Sequence, residues 1–203
     1  MLPISDSEIK VFRKLDSPIK IQDFLDTFAI NFEEKGETLM SPRRTLIEKK
    51  AHCIEAALLA AAILWFHGKR PLLLDLRADK SDFDHVVALY KENGYWGALS
   101  KSNHSSLRYR DPVYKSIREL ALSYFHEYFD NRTRQKTLRE YSKPFSLKRY
   151  GTSWITSNED LWHVAVDLDD SPHSYITSAL SKNKLRPADN MEIRAGTLVE
   201  WKN

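Results

Sequence analysis

The stretch CIEAALLAAAILWFHG, from Cys53 to Gly68, constrains the fold more than any other part of the chain. Ile54, Ala57, Leu58, Ala61 and Trp65 recur at three- and four-residue spacing, which predicts a helix over residues 51–67. Its many alanines favour the helix and let neighbouring elements approach closely. Gly68, followed by Pro71, supplies the usual stop, a residue free to turn left-handed and then one that cannot continue a helix. The apolar run Ile54–Phe66 has Glu55 inside it and falls well short of the roughly 20 residues that cross a bilayer, so no membrane span is expected.

The residues that follow provide a sheet for this helix to pack on. Leu72–Leu76 is a short apolar run, and Phe83–Tyr90 is rich in β-branched and aromatic residues; both read as strands. Asn93-Gly94 is a turn signal, with Tyr95–Ser100 as the returning strand of a hairpin. Ahead of the long helix, three shorter ones are signalled by caps: Ser5 with Glu8 at capping-box spacing, Ser17-Pro18 and Ser41-Pro42. Ile21, Phe24, Leu25 and Phe28 then form a buried helical stripe. From Pro112 onward the pattern is helical again, through Ile117, Leu120, Ala121, Tyr124, Phe125 and Tyr128. Ser157 with Asp160 resembles a capped start, while Trp162, Val164 and Val166 alternate as in a strand, so helix and strand both fit there. Ser181–Asn190 reads as a loop. Together these predict an α+β fold: a central antiparallel sheet, the Cys53 helix packed on it, and further helices towards both termini. The expected organisation is one domain over residues 1–203, with a core at about 41–130.

Composition narrows the function classes. With 42% hydrophobic and 11% aromatic residues the chain has the material for a packed core. Its N-terminal residues, MLPISDSEIKVF, lack the basic start and apolar stretch of a secretory signal. One cysteine allows no internal disulfide, so a reducing, cytoplasmic location is expected. The net charge of +3 demands no anionic partner. Residues 131–150 carry seven cations (Arg132, Arg134, Lys136, Arg139, Lys143, Lys148, Arg149) against Glu140 alone; a solvated face is the favoured reading and a nucleic-acid contact the minor one. No P-loop, GxGxxG or GxSxG motif occurs, and adjacent His52 and Cys53 lack the spacing of zinc ligands, so neither cofactor nor metal is expected. His52, His104, His126, His163 and His173 receive no role beyond structural hydrogen bonding.

The chemistry-bearing pattern is an order of elements: a cysteine near the start of an alanine-rich helix, a strand, a second strand carrying His85, and a return strand with Trp96. A thiol attacks as its thiolate, and a helix N-terminus and a neighbouring imidazolium both lower its pKa. A histidine on a rigid strand can take that proton and deliver it to a leaving group. A four-residue hairpin loop would pair Tyr90 with Tyr95 and set His85 opposite Ser100. A two-residue Asn93-Gly94 turn would set it opposite Ser102 instead. Either register puts a serine across from the histidine, because side chains alternate with period two. A helix continuous from Ser41-Pro42 through Cys53 would bury the cysteine mid-helix, where the dipole helps little; no glycine or proline marks a break near Lys50-Ala51.

Over about residues 51–100 the chain resembles the transglutaminase-like family of papain-like cysteine enzymes. AHCIEAALLAAAILWFHGKRP looks like the nucleophile helix with its glycine and proline, DHVVALY like the histidine strand, and GYWGALS like the closing tryptophan strand. The resemblance implies a transglutaminase-like core, Cys53 as nucleophile, His85 as base, and amide acyl transfer on a peptide or protein substrate, as a peptidase, deamidase or transglutaminase. Four residues after the tryptophan the family usually has an aspartate; this chain has Ser100, with Asn103 or the more distant Asp111 as substitutes. The competing reading is a catalytically inactive domain of the same fold that serves as a binding module.

Overall fold

The computed structural model describes residues 2–34, 36–177 and 184–202. The helices α1 (Asp6–Lys14), α2 (Pro18–Asp26) and α3 (Pro42–Glu48) start where their caps predict. Ser5, Ser17 and Ser41 each accept the amide of the residue three positions on, and Glu8 returns to the Ser5 amide at 2.6 Å to close the capping box. Arg43 of α3 pairs with Glu8 at 2.8 Å, which ties α3 to α1.

The central helix, α4 (Cys53–Phe66), is buried at every position from Ile54 to Leu64. A helix apolar all round has no solvent face and must be packed from all sides. Its neighbours are α2, α3 and the sheet. The strands are β1 (Ala29–Ile30), β2 (Lys50–Ala51), β3 (Leu72–Ala78), β4 (His85–Glu92), β5 (Tyr95–Leu99), β6 (Arg110–Tyr114), β7 (Leu138–Ser142), β8 (Phe145–Ser146) and β9 (His173–Tyr175). Seven of them form an open antiparallel sheet in the order β6-β5-β4-β3-β7-β9, with β8 alongside β3. β1 and β2 make a separate two-residue parallel ladder. Among the described residues the remaining α-helices are α5 (Ile117–Phe125), α6 (Trp162–Asp169) and α7 (Asn190–Gly196).

The sheet divides the interior into two clusters because its strands alternate. Leu73, Val86, Ala88, Tyr90 and Leu99 face α4, whereas Leu72, Leu74, Val87, Leu89 and Ala98 face α5 and meet Leu120, Ala121 and Tyr124. The mixed helix-and-strand architecture with an antiparallel sheet agrees with the α+β expectation. Among the described residues no helix is long and apolar enough to cross a membrane.

Two local expectations change, at Pro112 and Ser157, and the choice left open at residues 162–169 is settled. The helix expected from Pro112 begins only at Ile117, capped by Ser116, and Pro112 lies in β6. That strand is at the sheet edge, where a missing amide hydrogen is tolerated. Residues 162–169 are helical: Val164 and Leu168 are buried while Val166 is exposed, a helical and not an alternating pattern. The cap expected from Ser157 does not form, since its hydroxyl bonds locally to Glu159 and the Asp160 carboxylate is held by Arg44 at 2.6 Å. Residues 184–189 of the expected C-terminal loop carry no regular structure; residues 181–183 lie outside the described residues.

Gly97 on β5 faces the ring of Tyr90, its cross-strand partner, and a Cβ there would come within 2.4 Å of the Tyr90 ring. Tyr90 is buried and its hydroxyl is fixed by Tyr109 at 2.6 Å, so the ring has little room to retreat. Gly97→Ala is expected to destabilise the protein by about 1–3 kcal/mol, the usual cost of overpacking, measured by urea unfolding.

Candidate active site

Cys53 owes its position to a break in the helical chain. Helix α3 ends at Lys49, which adopts a left-handed φ of 55° and caps the helix through its amide to Thr45. Lys50 and Ala51 then pair with Ala29 and Ile30; the Ala29 amide donates to the Lys49 carbonyl at 3.0 Å and the Asn31 amide to the Ala51 carbonyl at 3.1 Å. These bonds hold the chain extended for two residues. Helix α4 therefore starts afresh, with His52 as N-cap and Cys53 as its first residue. The first-turn amides and the positive end of the dipole thus surround the half-buried thiol.

His85 opens β4 and is buried. The hairpin uses the two-residue turn: Asn93 and Gly94 both have positive φ, as a type I′ turn requires, and Glu92 pairs with Tyr95. That register points His85 towards Ser102, yet its Nε2 is 2.7 Å from the Ser100 hydroxyl. The ladder stops at Ala88 and Leu99, so the imidazole reaches diagonally to Ser100. The Ser100 hydroxyl donates to the Leu107 carbonyl at 2.6 Å, which leaves its oxygen to accept from Nε2–H. The same carbonyl lies 3.1 Å from Nε2. Nε2 therefore carries the hydrogen, and Nδ1 is the ring nitrogen left for the Cys53 thiol. Leu107 holds a left-handed φ of 59°, unfavourable for a side-chain-bearing residue, while turning its carbonyl to this pair. Gln22 of α2 fixes the Ser100 backbone from behind, its Nε2 donating to the Ser100 carbonyl at 2.7 Å and its Oε1 accepting the Ser100 amide at 3.0 Å.

Two residues outside the expected site complete the surroundings. The Glu55 side chain is fully buried. Its Oε1 accepts the Thr38 hydroxyl and the Met40 amide, both at 2.9 Å, and its Oε2 accepts the Asn31 side-chain amide and the His52 amide, both at 3.1 Å. The His52 Nε2 is 2.9 Å from the Thr38 carbonyl, 3.5 Å from Glu55 and 3.6 Å from Glu33. Burial opposes ionisation of the thiol, but hydrogen bonding and charge from His52 and His85 outweigh it and hold Cys53 at a pKa of about 5. Burial likewise disfavours the His52 cation, yet the sulfur, the Glu55 carboxylate and the Thr38 carbonyl raise its pKa to about 9. Glu55 was visible in the sequence as the one charge within an apolar run; nothing there indicated what it would bind.

Cys53, His52 and His85 line one cleft of about 520 Å³ together with Asp82, Phe83, Asp84, Lys101, Ser102, Asn103, Tyr128 and Asp130. Asn103 lies at this cleft, but its side chain is turned to the Trp201 backbone, accepting its amide at 2.8 Å and donating to its carbonyl at 3.1 Å, so Ser100 and not Asn103 contacts His85. Asp111 is exposed on the edge strand β6. Of the cations at 131–150, Lys136, Arg139 and Arg149 pair with Glu192, Asp79 and Asp167, which removes much of the apparent local charge. Oxygens of Asp75, Asp84 and Asp169 lie within 4.8 Å of one another, but His173 at 3.0 Å from Asp75 and Arg77 at 2.7 Å from Asp169 already bring positive charge to the group.

Neither the models of known protein families nor the curated proteins include a match to this chain.

Alkylation of native Cys53 is expected to follow a thiolate titration with its midpoint near pH 5, so that the rate is already on its plateau at pH 7. A midpoint near 8.5, the ordinary thiol value, in a rate series with iodoacetamide would show the thiol to be electrostatically isolated.

Proposed function

We propose that this chain is a cysteine-dependent acyl-transfer enzyme with a transglutaminase-like, papain-like core, using Cys53 as nucleophile and His85 as base. The observation that carries the reading is a half-buried thiol at a helix N-terminus beside a histidine whose far nitrogen is fixed by Ser100 and the Leu107 carbonyl. The order of helix, strand, histidine strand and tryptophan strand supports the same assignment.

In this mechanism the Cys53 proton passes to Nδ1 of His85, and the thiolate adds to the carbonyl carbon of an amide. The oxyanion is stabilised by the first-turn amides of α4, groups that a helix leaves without internal partners. The imidazolium then gives its proton to the departing amine, the C–N bond breaks, and a thioester to Cys53 remains. Water releases the acyl group in a peptidase or deamidase, and a second amine does so in a transglutaminase. The cleft beside Cys53 has room for a peptide segment.

Ser100 orients the imidazole but brings no negative charge to it. This favours one alternative, a catalytically inactive domain that binds a protein partner through the same cleft. The two readings separate on turnover. With peptide, isopeptide and glutamine substrates, Cys53→Ala is expected to abolish product formation and His85→Ala to lower it by about 10²–10⁴-fold, the usual share of general acid–base catalysis. Both variants should remain folded, with His85→Ala less stable by about 1–3 kcal/mol because a buried hydrogen-bond partner is removed, and intact-mass analysis of His85→Ala should show little accumulated thioester. Activity retained by Cys53→Ala would overturn the acyl-transfer reading.

A further inference from the structure

A third residue conventionally orients the histidine of such a pair, and where it is an aspartate its charge also offsets the imidazolium. Here His85 faces a hydroxyl and a carbonyl, both neutral. The carboxylates in ion-pair range of an imidazole at this site, Glu33 and Glu55, face His52 and not His85. Glu55 is fully buried, and each of its oxygens accepts two neutral donors; among the described residues the imidazole of His52 is the basic side chain within ion-pair range of it. Glu33 faces the same imidazole from the loop between β1 and α3, and is itself pinned by the Thr38 amide donating to its Oε1 at 2.8 Å. The Thr38 carbonyl fixes the orientation of the His52 ring. A buried carboxylate without a counter-charge is costly, which is the physical reason for the imidazole here to stay charged.

We propose that His52 is a positioning residue, a fixed imidazolium held by Glu33 and Glu55 that stabilises the Cys53 thiolate, while His85 alone carries the proton between thiol and leaving group. The inference rests on the acyl-transfer reading and assigns the charge missing at Ser100 to the carboxylates that face His52. Proton balance is simple: the Cys53 proton goes to His85 and from there to the departing amine, and His52 stays protonated throughout. The groups that bear on His52 are Glu33 and the Thr38 carbonyl from the loop ahead of α3, and Glu55 and Cys53 from α4; His85 from β4 and the Tyr128 hydroxyl, which burial keeps protonated, bear on Cys53. Once the thiol has given up its proton, the thiolate and the two carboxylates together face the two imidazolium ions.

The test is the pH profile of Cys53 alkylation by iodoacetamide in the full chain, compared among the parent, His52→Gln, His52→Lys, Glu33→Gln and His85→Ala. His52→Gln should raise the midpoint by more than one pH unit, which lowers the rate at pH 5 at least several-fold. His52→Lys, which restores a cation, should recover part of that shift, a rescue that a purely structural cap would not give. Glu33→Gln should move the midpoint in the same direction by less. An unchanged midpoint in His52→Gln, with a raised one in His85→Ala, would overturn the role of His52 and leave the acyl-transfer reading in place. A parent midpoint near 8.5 would remove both. Should His52→Gln fail to fold, Glu33→Gln decides: a raised midpoint supports the proposal and an unchanged one overturns it.

Discussion

The arrangement around the nucleophile depends on one buried carboxylate. Glu55 sits on the first turn of a helix that is otherwise apolar, and the desolvation of its charge is offset by donors from Asn31, Thr38, Met40 and His52. Three of these precede α3, so satisfying Glu55 brings Asn31, Thr38 and Met40 to the start of α4. Between them lie Glu33 and the Thr38 carbonyl, the two groups that orient His52. A single buried carboxylate inside the apolar layer thereby gathers the residues beside Cys53.

At His85, orientation is achieved without charge. Gln22 holds the Ser100 backbone as a neighbouring strand would, Ser100 passes its hydrogen bond to Leu107, and Leu107 accepts a strained backbone angle to receive it. Each link restricts the rotation of His85. The sheet supplies the rigid frame for this: β4 is flanked by β3 and β5, and α4 and α5 cover its two faces. The histidine lies at the first residue of that strand, where the frame ends and the cleft begins.

Much of this was legible in the sequence, for physical reasons that differ by element. Caps at Ser5, Ser17 and Ser41 are local interactions complete within four residues, so the helix starts followed directly. The Asn93-Gly94 turn was legible because two consecutive positive φ angles admit few other residues, but a loop of two residues or of four stayed open until the pairing was seen. The two-residue register alone would have chosen Ser102 as the partner of His85. Contact with Ser100 depends on where the ladder stops, which no pairwise spacing encodes. Gln22, Glu33, Glu55 and Leu107 were silent because their partners are distant in sequence or are backbone atoms. Pro112 was misread because its preference for helix starts and its tolerance at a sheet edge cannot be told apart until the edge is known.

The break between α3 and α4 has a further consequence for how the chain reaches this state. Glu48, Lys49, Lys50 and Ala51 are all good helix formers, so local preference alone would fuse residues 42–66 into a single rod. What opposes it is a two-residue ladder with residues 29–30, contacts that exist only after another part of the chain has arrived. This is a point of local frustration in a sequence otherwise consistent with its fold. The place of Cys53 at a helix start therefore depends on the ladder with residues 29–30; local preference alone would make it an ordinary mid-helix thiol.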